Sequence, residues 1–388
     1  MATITNDLFD ILPTFSKESE TLDQRAQIET LLKKALGEPV NYPSLSESIF
    51  PGDRIAIVVQ NGLPAARQTL EGLLRVLEDS RIETQDVLVV VPRDMIRTFD
   101  LVEHSAADVE AKKSATWRRK SDTGSDVLEF EVHVTDDEQA CSYLAANEQG
   151  DPVYVNRSLC DSDVILPLSC LNPGKTQSDC LYPEFSTDET RARYRKKDDS
   201  RSQRVAEAVL ANDSLGLFFS IELICSPGEV IEDIVCGSRV QTRQIAADKL
   251  KPLWEMEASD DCDIVVTTLE SSADTATWAN LVRAVTAAAN LVADGPIIVW
   301  SELSQKPTAK IKKACAAQFE GSVPDSLSKK LQHFASILCE RPVYLKSRLS
   351  QNVVEGLGLG FVESAESAQR ILRPFSQPLL IRDGHLRG

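Results

Sequence analysis

From residue 50 onward, short apolar runs alternate with segments whose apolar residues recur at helical spacing. Residues 54–60, RIAIVVQ, are almost continuously apolar. Leu70, Leu73, Leu74 and Leu77 then follow three or four apart, and residues 87–91, VLVVV, are apolar throughout. An unbroken apolar run suits a strand covered on both faces, and the helical spacing suits one buried stripe, so the pattern predicts a β-α-β unit on a parallel sheet. Residues 127–134 alternate instead. Phe130, Val132 and Val134 share one face, and Glu129, Glu131 and His133 the other, which predicts a half-buried strand with its polar face in water. Further short strands are expected at 153–155 and 163–168. LFFSIELIC and EVIEDIV read as a hairpin turning at Ser226-Pro227-Gly228, followed by a helix over 241–255.

After the polar stretch ASDDCD the rhythm begins again. Strands are expected at 263–268, 296–300 and 343–346 and at LLI near the end, with helices over 277–293 and 364–373 and two more between the second and third strands. The expected fold class is α/β: two α/β domains with mostly parallel sheets and an interdomain cleft. Residues 1–50 are expected to be an N-terminal arm carrying one amphipathic helix over 28–36, residues 51–255 the first α/β domain and 256–388 the second.

Charge narrows the partners. The chain of 388 residues carries a net charge of −17, and an acidic surface repels phosphate backbones and anionic membranes, so no nucleic-acid or membrane partner is expected. No apolar run approaches the ~18 residues of a membrane span. The start, MATITNDLFD, lacks the basic and apolar regions of a signal peptide. Nine scattered cysteines without a C-x-x-C read as reduced thiols of a cytoplasmic protein. The four histidines, His104, His133, His333 and His385, share no metal-ligand spacing. Residues 186–204, dense in charge, read as a solvated loop and helix face. Pro173-Gly174-Lys175-Thr176 imitates the end of a phosphate-binding loop, but Ser169 stands where that loop needs its first glycine. GLGLG at 356–360 reads as a turn with close backbone packing.

Four collinear segments resemble the nickel-pincer lactate racemases. SIFPGDRIAIVV is similar to that family's entry into its first strand, and YLAANEQGDPVYVNRSLCDSDVIL carries its P-V-x-V-N-R pattern. LYPEFSTDET is similar to its proline-rich turn and helix start. The stretch from CDIVVTT to PIIVW resembles its second-domain strand, helix and strand. The resemblance implies two α/β domains around a racemase site. There a hydride from C2 of a hydroxy acid is parked on a lysine-tethered nickel-pincer nucleotide between two histidine bases.

Most of the groups that chemistry implies are replaced here. The family's D-x-T-R-P falls on Asn61-Gly62-Leu63-Pro64. Its G-x-H-R falls on Asp94-Met95-Ile96-Arg97, so the histidine is Ile96 and only Arg97 remains. The second histidine falls near Asn172 and Pro173. The tethering lysine falls on Asp179, with Lys175 four residues earlier, and the nickel histidine on Arg195. The second-domain Q-x-x-K falls on Arg283 to Thr286. His133 matches a further family histidine and is expected to be structural. Isoleucine cannot move a proton, and arginine offers no lone pair to nickel. The expectation is a degenerate or repurposed family member with no cofactor or metal, in which Asn61, Arg97, Lys175, Asp179, Arg195, Arg283 and Thr286 line the former site. It binds a small carboxylate or other anion, or a protein partner. The alternatives are an active 2-hydroxyacid racemase and a scaffold protein.

Overall fold

The computed structural model describes all residues except 1–21, 81, 83–85, 97, 100, 104–113, 122–123, 135–137, 172, 174–180, 197–199, 256–261, 270–275, 293–294 and 388. For 22–23, 102–103, 114–121, 124–127, 138 and 195–196 it describes the backbone alone. The chain divides into two compact units, Glu20–Ser226 with Val230–Lys251, and Pro252–Gly388 with Pro227–Glu229.

The N-terminal unit opens with helices α1 (Leu22–Gly37) and α2 (Leu45–Ser48), then β1 (Ile55–Val59), α3 (Ala66–Asp79) and β2 (Val87–Pro92). Next come β3 (Val102–Glu103), β4 (Ser114–Ser121), β5 (Gly124–His133), β6 (Cys141–Ala146), β7 (Pro152–Asn156), α4 (Arg157–Cys160) and β8 (Val164–Cys170). Helices α5 (Asp188–Lys196) and α6 (Arg201–Ser214), the hairpin β9 (Phe219–Ser226) and β10 (Val230–Ser238), and α7 (Arg239–Trp254) complete it. Eight strands form one sheet in the order β10-β9-β8-β1-β2-β5-β4-β3, and β6 and β7 pair separately. The five central strands β9, β8, β1, β2 and β5 run parallel, and antiparallel strands close both ends.

Every residue of β1 is buried, as its unbroken apolar run predicts. One face of the sheet packs on α1 and α3, with Ile28, Leu32 and Leu36 of α1 meeting Leu70, Leu73 and Leu74 of α3. Gly72 lets the two helices approach, because a Cβ there would lie 2.8 Å from Leu32 Cδ1. The other face holds Ala56, Val58 and Val90 against Val153, Val155, Leu181, Tyr182, Phe185 and Ala211. The polar side of β5 is a correction. Glu131 and His133 are buried, not solvated, because β7, α4 and the turn at Phe185–Ser186 cover them with polar partners.

The C-terminal unit is a parallel sheet of five strands in the order β14-β13-β12-β11-β15. The strands are β11 (Ile264–Thr268), β12 (Ile297–Trp300), β13 (Val343–Lys346), β14 (Gly360–Val362) and β15 (Pro378–Ile381). Helices α8 (Trp278–Leu291), α9 (Ala309–Glu320), α10 (Lys329–Glu340), α11 (Gln351–Glu355) and α12 (Ala365–Leu372) connect them. Both units are therefore α/β, and parallel pairings predominate. The close packing expected at GLGLG is present. Gly358 has φ +74, and the Tyr344 ring occupies the space a Cβ on Gly360 would need. Among the described residues no helix is long and apolar enough to cross a membrane.

Candidate functional site

In the N-terminal sheet the chain steps from β1 through β2 to β5 on one side, then returns to place β8 and β9 on the other. Doubly wound sheets bind ligands beside such a reversal, at the carboxyl ends of the strands, where the diverging connections leave a crevice. Gln60, just past β1, knits this edge together. Its N–H donates to the Leu168 carbonyl at 3.0 Å, and its Oε1 accepts the Cys170 N–H at 2.8 Å. Asn61 follows in an exposed turn, and its Nδ2 donates to Asp94 Oδ2 at 3.3 Å, joining the turns after β1 and β2.

Helix α3 starts at the same edge. Ala65 before it is left-handed, no side chain caps it, and no acid lies in its first turn. Arg67 in that turn donates to the Thr98 carbonyl at 3.1 Å. Ile96, at the position of the family's proton-transferring histidine, is half-buried and packs against the apolar core. Arg97, Lys175 and Asp179 lie outside the described residues, as do Gly174 and Thr176 of the phosphate-loop-like tetrapeptide. Along the chain Arg97 follows β2, and Lys175 and Asp179 follow β8.

His133 closes β5, in register with Pro92 at the end of β2. Its Nε2 faces the Ser186 carbonyl at 3.0 Å and its Nδ1 faces Asn156 Nδ2 at 3.2 Å. A carbonyl requires a donor and an amide NH₂ an acceptor, so the ring is neutral with its proton on Nε2. Burial holds its pKa below the usual 6.5, against the opposing pull of the Ser186 hydrogen bond and Glu131. Asn156 is the hub of this network. Its Nδ2 also donates to Glu131 Oε1 at 2.6 Å, its Oδ1 caps α4 through the Leu159 N–H, and Ser158 Oγ donates to Glu131 Oε2 at 2.5 Å. The PVYVNR segment thus combines two core valines with a buried capping asparagine. The motif by itself does not reveal this role, although an asparagine directly before a helix start is a capping signal.

A pH dependence follows. His133 binds its proton less readily folded than unfolded, so the unfolded state takes up the extra proton as pH falls below about 6.5, and stability declines toward the folded pKa. In denaturant titrations between about pH 7.5 and about pH 5, wild type should lose more stability than His133→Gln, which does not titrate. Equal slopes would show that His133 carries no linkage.

The helix expected to hold Arg195 is α5, with that side chain outside the described residues. Its neighbours are engaged: Arg191 pairs with Glu184 at 3.1 Å, and Arg193 pairs with Asp151 and with buried Glu207. Glu207 also accepts from Tyr182 Oη and from Asn147 Nδ2. In the C-terminal unit, Arg283 and Thr286 are half-buried on α8. Thr286 Oγ1 donates to the Val282 carbonyl of its own helix at 2.8 Å. Arg283 forms no salt bridge with a described carboxylate. The structure therefore brings together Asn61 and the Asp94 turn. Among the described residues, no group of three or more His, Cys, Asp or Glu could hold a metal ion.

These features define a class: a two-unit α/β protein with a ligand-type edge on its N-terminal parallel sheet. Residues 12–173 match the model of the lactate racemase N-terminal domain. The lactate racemase apoprotein from Thermoanaerobacterium thermosaccharolyticum has a similar structure at 13% identity, with a TM-score of 0.58 over 92% of this chain and 91% of that one. A protein from Thermotoga maritima is similar at 10% identity, with a TM-score of 0.50 over 93% and 96% of the two chains. No curated protein sequence matches the chain. Residues 12–173 thus form a lactate racemase N-terminal-like domain, and the fold of the chain is similar to that of a lactate racemase.

Proposed function

We propose that this protein keeps the lactate racemase fold without its hydrogen-transfer chemistry, and that it binds a small carboxylate or other anion at the carboxyl edge of β8, β1 and β2. The observation that carries the reading is Ile96, a half-buried apolar side chain packed against the core at the position that the resemblance gives the family's base. The other described groups agree. His133 spends both ring nitrogens inside the fold, and Asn61 is turned to Asp94. These residues do not fit a nickel-pincer nucleotide, which needs a lysine tether, a nickel-binding histidine and free imidazole bases, so no step is derived through it. What favours an anion is the start of α3, which no side chain caps, and the arginines Arg93 and Arg97 after β2.

Thermal unfolding with lactate, sulfate and phosphate tests this. At about tenfold above Kd, linkage adds about 1.4 kcal/mol and should raise Tm by about 3 °C. Arg97→Ala should abolish the rise. A wild type indifferent to all three anions would sink the binding reading. One observation favours a second reading, a site closed by internal ion pairs: Arg193, two residues before Arg195, is held by Asp151 and Glu207. Under that reading Arg97→Ala lowers Tm with no anion added, because it strands a carboxylate.

A further inference from the structure

We propose that Cys170 and Cys225 form a reversible redox switch that loosens the turn carrying Gln60 and Asn61. Cys170 is the last residue of β8 and Cys225 lies in the neighbouring β9, with their Sγ atoms 3.6 Å apart. Neither is in a disulfide, and both sit in the core beneath α1 and α3. A disulfide draws the sulfurs to about 2.05 Å. The two residues are diagonal on the ladder, since Cys170 stands opposite Leu223. Forming the bond therefore requires one strand end to move. Cys225 is held on its other side by pairing with Ile231 of β10. Cys170 ends its strand.

The direction of that movement links it to the site. β8 lies between β9 and β1. On the β1 side, the Cys170 N–H donates to Gln60 Oε1 at 2.8 Å. Pulling Cys170 toward β9 takes it away from Gln60 and breaks this bond. Gln60 is then left with its tie to Leu168, and the adjoining Asn61 with its contact to Asp94. Control of ligand binding by this movement rests on the reading of the edge as an anion site. The disulfide itself does not.

Hydrogen peroxide is the oxidant. One thiol gives up its proton, and its sulfur attacks a peroxide oxygen. The O–O bond breaks, leaving a sulfenic acid and a hydroxide that takes the proton as water. The second sulfur attacks the sulfenic sulfur, the S–O bond breaks, and hydroxide leaves with the second thiol's proton as another water. Two thiols lose two electrons, and one peroxide becomes two waters. A dithiol reductant restores both thiols.

The test uses the full-length native protein, treated with peroxide, alkylated and peptide-mapped, with amide hydrogen exchange followed over residues 168–171. The expected result is a Cys170–Cys225 linked peptide, exchange about tenfold faster in that segment, and return of both thiols and slow exchange on reduction. Cys225→Ala should show neither change on peroxide treatment. Should that variant fold poorly, peptide mapping of wild type still decides. Oxidation of exposed Cys339 while Cys170 and Cys225 remain alkylatable would overturn the proposal. So would a linked peptide with unchanged exchange, or Cys170 joined to Cys180. If the reduced protein fails to respond to any anion, the proposed function fails, while mapping and exchange still judge the switch.

Discussion

Replacing Asn156 with alanine should destabilise the N-terminal unit by about 4 kcal/mol, measured by denaturant unfolding. The side chain is fully buried and serves three partners at once: Glu131, His133 and the start of α4. Losing the cap costs about 1 kcal/mol. The larger part is Glu131, left in the core with the Ser158 hydroxyl as its donor, and a buried carboxylate that loses a partner costs about 3 kcal/mol. The mechanism predicts non-additivity. Glu131→Leu should cost much less in the Asn156→Ala background than in wild type, because the stranded carboxylate is removed. Additive effects would mean that the two side chains do not depend on each other.

Gly237→Ala should cost a similar amount, about 4 kcal/mol, with the loss concentrated where the 38–41 segment meets β10. Gly237 has φ +133, which side-chain-bearing residues rarely adopt, and a Cβ there would overlap the backbone nitrogen and oxygen of Val40. Val40 is bound to both neighbours of that glycine. Its N–H donates to the Cys236 carbonyl at 2.8 Å, and its carbonyl accepts the Ser238 N–H at 2.8 Å. The substitution must therefore strain β10 or expel Val40, and expulsion opens two backbone hydrogen bonds at the sheet edge. Hydrogen exchange of the Val40 and Ser238 amides distinguishes the cases. Unchanged protection together with unchanged stability would contradict the geometry.

The strands of both sheets were legible because parallel sheets are covered on both faces, so β1, β2, β11 and β12 stand out as unbroken apolar runs. The helix stripes of α3 and α8 were legible for the complementary reason. The first strand of the separate pair was not. Cys141–Ala146 shows no clean alternation, since its partner is a single strand away from the main sheet. The polar face of β5 was misread because periodicity separates apolar from polar faces and cannot tell water from a buried polar network. Only the fold reveals that Asn156, Ser158 and the Ser186 carbonyl lie over Glu131 and His133. At the site, chain position alone placed Asn61 after β1 and Arg97 after β2, at neighbouring strand ends. The hydrogen bond from Asn61 to Asp94 could not be read from the sequence, because it depends on how two turns 33 residues apart meet.

A retained fold without racemase chemistry is the proposed reading. It is tested most directly by producing the protein in cells where a lactate racemase expressed beside it becomes active. The purified chain is then incubated with L-lactate, followed by chiral separation and intact-mass analysis. D-lactate is expected to form no faster than in the protein-free control, and the mass is expected to equal that of the unmodified chain. D-lactate formed above that control, together with a nucleotide adduct on a lysine, would contradict it.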